Sequence, residues 1–216
     1  GGMDRYFQIA SCFRDEDLRS DRQPEFTQID LEMSFGYPED IIKIIEKYLT
    51  NLFKICLNFE IPETIPKMSY QMCLEKYGTD SPDLRFGMPL VRVDKIAEKS
   101  TFSIFKDQIQ LGGCVKAICV KEGSNFSRKE IDRYTKFVEN LGLQGLGWMK
   151  NLQEGLSSSI VKFFSTKLQK ELQDILDVKV GDLLLFAAGK EETVNKALDH
   201  LRRLIAKEQN LIDENT

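Results

Sequence analysis

The sequence has a single histidine, His200, and its five cysteines form no CxxC pair. One imidazole cannot build a histidine-rich metal centre. The odd set Cys12, Cys56, Cys73, Cys114 and Cys119 argues against a zinc site and against a disulfide framework. The five read as reduced, buried thiols. No apolar run reaches the roughly 18 residues of a membrane span, and no basic start leads into an apolar stretch as in a secretory signal. A global basic excess is also missing, since the net charge is -4. That argues against a dedicated nucleic-acid-binding domain and leaves any RNA contact to local charge. Repeats, low-complexity tracts and long charge blocks are absent too. What is present is an ordinary globular balance, 42% hydrophobic and 30% charged, in a length that suits one large domain or two small ones.

The first segment alternates. Phe7, Ile9 and Phe13 share one parity and Tyr6, Gln8 and Arg14 the other, the pattern of a half-buried strand. A second strand is expected over residues 26–35, with Ile29, Leu31, Met33 and Phe35 on one face. Phe26, Gln28, Asp30, Glu32 and Ser34 fall on the other. An antiparallel pair is the simplest arrangement, and the charged connection from Asp15 to Glu25 is far longer than a usual hairpin loop. Pro38, Glu39 and Asp40 suit the first turn of a helix. Its stripe of Ile41, Ile44, Ile45, Tyr48, Leu49, Leu52, Phe53 and Cys56 reads as core packing. A shorter helix is expected over 69–77, then a turn-rich loop over 77–86.

A boundary is expected near residues 88–91, where the pattern changes to short strands and helices. Strands are expected at 115–120, around Gly147-Trp148-Met149 and at 182–188. Ser127 and Glu130 form a capping box that opens a helix. The last helix uses Val194, Ala197, Leu198, Leu201, Leu204 and Ile205. About 115 residues are enough for a separate small α/β or α+β core.

The hairpin carries the candidate chemistry. If both polar faces lie on one side of the sheet, Arg14 stands at the loop end and Gln28, Asp30 and Glu32 lie further in. Arginine offers a planar fork for carboxylate or phosphate oxygens. Asp30 could hold an ammonium group, Glu16 or Glu32 could meet Mg²⁺ or an amine, and Phe26 could stack on a purine. The plain alternative is the solvated face of an amphipathic hairpin.

The string Phe13-Arg-Asp-Glu-Asp-Leu-Arg-Ser-Asp-Arg-Gln-Pro-Glu-Phe-Thr-Gln-Ile-Asp-Leu-Glu32 resembles motif 2 of class II aminoacyl-tRNA synthetases, in the form found in aspartyl-tRNA synthetases of the bacterial type. The match extends upstream through Asp4–Ile9. Tyr77-Gly-Thr-Asp-Ser-Pro-Asp-Leu-Arg85 resembles the segment just before that family's inserted domain. Residues 91–208 resemble the insert itself, the GAD domain. The resemblance implies an α+β fold. Residues 1–90 would be part of the antiparallel catalytic core, 91–208 a smaller α/β insertion module, and 209–216 the start of a return to the core. It also implies activation of L-aspartate by ATP to aspartyl-adenylate, with Mg²⁺, followed by transfer to the 3′ end of an aspartate tRNA or also an asparagine tRNA.

By the family pattern Arg14 is catalytic and bridges the α-phosphate and the aspartate carboxylate. Asp15, Glu16, Gln23 and Phe26 match ATP-contacting positions. Gln28 and Asp30 match positions near the amino acid, and Glu32 supports them. The loop around Arg19 and Arg22 would approach ATP and the tRNA acceptor end. No residue is expected to be a dedicated metal ligand. A cytoplasmic homodimer is the expected parent. Motif 1, motif 3, the anticodon-binding barrel and the active-site histidine beyond the insert have no counterpart in the sequence, so the chain alone is expected to be inactive. His200 reads as an exposed helical residue. Two alternatives stay open: a non-catalytic module that contacts tRNA or a protein partner, and a paralogue that kept ligand recognition without catalysis.

Overall fold

Alternation in the first forty residues becomes a two-stranded antiparallel sheet in the computed structural model, which describes residues 2–17, 22–62 and 64–212. Strand β1 (Arg5–Phe13) pairs with β2 (Glu25–Met33) along their full lengths, from Arg5 opposite Met33 to Phe13 opposite Glu25. Helix α1 (Pro38–Leu57) follows, with proline at its start. Its first turn is closed by the Asp40 carboxylate, which accepts the Tyr37 N–H at 3.0 Å. It ends at Asn58, in a left-handed conformation with φ 51°. These elements form one compact unit, Gly1–Lys67.

Two expectations about this unit need correction. The apolar face of the hairpin is not half-buried: Phe7 is 70% exposed and Ile9 73%. The α1 stripe is not a core either, because no α1 residue is buried. One helix and two strands offer too little surface to cover each other. Periodicity records which face is apolar, not whether anything lies against it. Phe35 is likewise outside β2, fully exposed in a left-handed turn at φ 55°. Cys56, read as a buried thiol, is exposed on α1.

The second unit is Met68–Thr216. It begins with α2 (Tyr70–Tyr77), whose free N-terminal amides are met in part by the Ser69 hydroxyl, which accepts the Met72 N–H at 3.2 Å. Gly78 ends the helix at φ 75°. A Cβ there would sit 2.3 Å from the Asn195 carbonyl oxygen, so only glycine lets this turn approach so closely. The unit continues through β3 (Val91–Arg92), α3 (Asp94–Lys99), α4 (Ser103–Gln110), β4 (Cys114–Val120) and α5 (Arg128–Glu139). It closes with β5 (Gly147–Leu152), β6 (Gly155–Ser157), α6 (Thr166–Ile175), β7 (Leu183–Gly189) and α7 (Glu191–Glu208).

The five strands form one sheet in the order β3-β4-β7-β5-β6, and every pairing is antiparallel. Strands β4 and β7 are central and covered on both faces. Ile118, Val120, Leu183 and Leu185 pack with Ile131 and Tyr134 of α5 and with Leu198 and Leu201 of α7. The opposite parity, Val115, Ala117, Leu184 and Phe186, packs with Ile96 of α3, Phe105 of α4 and Leu172 of α6. The class is therefore α+β. The parallel sheet that an α/β module would have is not formed. The capping box holds as expected: Ser127 Oγ accepts the Glu130 N–H, and Glu130 accepts the Ser127 N–H at 2.7 Å. His200 is half-buried on α7 rather than exposed.

The division between the two compact units falls at 67/68. Helix α2 and the loop after it join the second unit because of Arg202. This α7 side chain is fully buried. Its Nε donates to the Met88 carbonyl at 3.2 Å, and its Nη2 donates to the carbonyls of Asp83 and Gly87, both at 2.9 Å. The guanidinium carbon lies 4.9 Å from the Tyr77 ring centre and 4.4 Å from that of Phe86.

Candidate functional site

Residues directly opposite each other in an antiparallel pair point to the same side of the sheet. Glu32 opposes Tyr6, Asp30 opposes Gln8, Gln28 opposes Ala10, and Phe26 opposes Cys12. One face therefore carries Phe26, Gln28, Asp30 and Glu32 together. Arg14 continues the same parity just past β1, held to the ladder by its N–H, which donates to the Pro24 carbonyl at 2.9 Å. Its guanidinium carbon lies 5.0 Å from the centre of the Phe26 ring. The expected common face is formed.

That face has two ends. At the loop end a hollow of about 370 Å³ is lined by Arg14, Glu16, Arg22, Gln23 and Phe26. Glu16 lies between the two cations, with Oε1 3.7 Å from Arg14 Nη1 and Oε2 3.3 Å from Arg22 Nη1. The inner end holds Gln28 and Asp30. Asp30 is six residues from Arg14's register position, roughly 20 Å along the strand. Gln8 Nε2 donates to Asp30 Oδ2 at 3.1 Å, which fixes the carboxylate's direction. Cys12 Sγ donates to Gln28 Oε1 at 3.4 Å. Glu32 is exposed and lies further out again. Asp15 is exposed and does not line the hollow. Arg19 lies outside the described residues.

Arg22, expected to approach ATP with the loop, completes the cationic pair. One residue joins the site beyond the candidate set. Gln8 orients Asp30, and its signal was its parity with Arg14.

In charge and shape the hollow suits an anion attached to a flat ring. Two guanidiniums offer forked donors, and an aromatic face lies beside them. Its one carboxylate is engaged by both cations. Among the described residues no cluster of three or more His, Cys, Asp or Glu side chains could hold a metal ion.

A family model described as tRNA synthetases class II (D, K and N) matches residues 1–206. The chain belongs to that family. Among curated relatives, the aspartate–tRNA(Asp/Asn) ligase of Protochlamydia amoebophila is 53% identical over 212 residues, covering 98% of this chain and 35% of that protein. The enzyme of the same name from Chlamydia trachomatis serovar L2 is 52% identical over 213 residues, 99% of this chain and 36% of its own length. That of Chlamydia pneumoniae is 51% identical over 215 residues, 100% and 37%. The chain thus spans about a third of the length of these relatives.

Proposed function

We propose that this chain supplies the motif 2 half of the active-site floor in an aspartate–tRNA ligase, the activity belonging to a longer protein. The supporting observation is the register that brings Arg14, Phe26, Gln28 and Asp30 to one face of the hairpin. Aspartate and ATP would lie along that face, the nucleotide at the loop end and the amino acid toward Asp30. The aspartate α-carboxylate attacks the α-phosphorus, pyrophosphate leaves, and negative charge builds on the phosphoryl oxygens. Arg14 meets that charge and the attacking carboxylate together. Phe26 stacks on the adenine, and Glu16, Gln23 and Arg22 face the rest of ATP, with Asp15 outside the hollow. Asp30, steadied by Gln8, lies on the amino-acid side of the same face, with Gln28 between it and Arg14 and Glu32 in support. At roughly 20 Å along the strand from Arg14, it acts on the bound aspartate through intervening groups rather than by direct contact with the ammonium. Mg²⁺, bound together with ATP, would offset part of the phosphate charge. In the second step the 3′-terminal hydroxyl of an aspartate tRNA, or also an asparagine tRNA, takes the aspartyl group from the adenylate, the mixed anhydride breaks and AMP leaves. A GAD-type insert is the reading for the second unit, and a cytoplasmic homodimer that for the parent.

The test is ATP–pyrophosphate exchange by the full-length enzyme. Arg14→Ala should lower the rate by about 10²–10³-fold, the loss typical of removing one donor to a developing oxyanion. Exchange near the wild-type rate would remove Arg14 from this role. The 216-residue chain alone should show no exchange, and robust exchange by it would contradict the assignment of activity to a longer protein.

A further inference from the structure

The ion pairs in the hollow define a state in which its cations are already engaged. Glu16 splits its two oxygens between Arg14 and Arg22, the geometry a bridging phosphate would adopt. Its side chain is only 22% exposed, against 60% for Arg14 and 47% for Arg22. The same Arg14 guanidinium lies over Phe26 and covers the ring face where a purine would stack. We propose that Glu16 is the internal counter-anion of a polyphosphate subsite: in the free molecule its carboxylate stands in for phosphate between Arg14 and Arg22, and an incoming polyphosphate displaces it. This rests on the nucleotide reading of the loop end and adds how that site is held when empty of ligand. A polyphosphate carries more charge than a carboxylate and can satisfy both guanidinium forks at once, so it wins the exchange. Drawing Arg14 toward phosphate also clears the Phe26 ring, so phosphate engagement precedes stacking of the base.

Inorganic tripolyphosphate is the probe, because it presents the phosphates without the base. The 216-residue chain and its Glu16→Gln variant would be titrated at low ionic strength, with the Arg14 and Arg22 Nε–H signals followed by NMR. Glu16→Gln should bind roughly three- to ten-fold more tightly, since two partly exposed ion pairs no longer compete. Glu25→Gln is the control for charge alone. Glu25 sits opposite Phe13, on the other face of the hairpin, and accepts the Ser11 hydroxyl at 3.3 Å. That variant should stay within two-fold of the unaltered chain. Equal or weaker binding by Glu16→Gln, with the unaltered chain still binding, overturns the counter-anion role and leaves the nucleotide reading intact. A matching gain in Glu25→Gln overturns it as well. Absence of binding by both the unaltered chain and Glu16→Gln removes the phosphate subsite from this chain and overturns the counter-anion role, while the nucleotide reading is decided by exchange in the full-length enzyme.

Discussion

Replacing Arg202 by methionine should destabilise the second unit by about 3 kcal/mol. Methionine keeps much of the aliphatic stem and removes the guanidinium. Lost with it are the bonds to the carbonyls of Asp83, Phe86, Gly87 and Met88, and the two aromatic contacts. Hydrogen bonds to a charged group contribute about 1.5–3 kcal/mol each. Three of the four acceptors share Nη2, so they act as fewer than four full bonds. Against the loss stands relief of a buried charge, visible in the guanidinium pKa, which burial pulls down. Breaking a buried charged contact typically costs about 3–5 kcal/mol. The low end applies here because Asp199 keeps Arg203 at 2.6 Å and is not left alone. Urea unfolding followed by Trp148, the only tryptophan, reports on this unit. With a slope of about 2 kcal/mol per molar, the midpoint should fall by about 1.5 M. Arg202→Lys should recover less than half, since an ammonium cannot fork across the same carbonyls. A methionine variant within about 0.3 M of the unaltered chain would refute the reasoning, since it would put the contribution below about 0.6 kcal/mol.

Asp182 is buried, which by itself would raise its pKa, but the N–H groups of Lys179 and Glu122 and the Lys121 ammonium outweigh burial and lower it. A carboxylate with a lowered folded pKa contributes stability above its unfolded value of about 3.9, and loses it as pH falls through the folded value. Asp182→Asn should therefore cost about 2 kcal/mol at pH 7. The gap from the unaltered chain should narrow as pH drops below about 4. A gap constant from pH 7 to pH 2.5 in urea titrations would contradict this. For the thiols, burial, with Asp182 adding to it, pushes Cys119 up to about 12, whereas Cys56 is exposed. Iodoacetamide at pH 8 should modify Cys56 and spare Cys119 in the folded chain, as read by peptide mass mapping. Equal labelling of the two would show that the sheet does not shield Cys119.

Much of the candidate site was legible because strand parity is a local property. Once Tyr6 to Arg14 and Phe26 to Glu32 are strands, a two-residue period assigns each side chain to a face. Only the register can then say whether the two polar faces coincide. The Ser127–Glu130 cap was equally readable, because it depends on residues within one helical turn. Helices α3 and α4 were missed, since six and eight residues are too short for a period to stand out. The ion pairs that close the hollow were not readable either, because Glu16 meets Arg22 only through the path of the loop.

By itself the sequence determined which residues are apolar, which turns close, and the motif string that marks the family, all encoded within a few residues of one another. Tertiary structure alone decided that the second sheet is antiparallel. It also decided that residues 68–90 belong with α7. Those outcomes depend on contacts between segments far apart in the chain. The guanidinium of Arg202 reaches carbonyls more than a hundred positions away, a pairing no local pattern can carry.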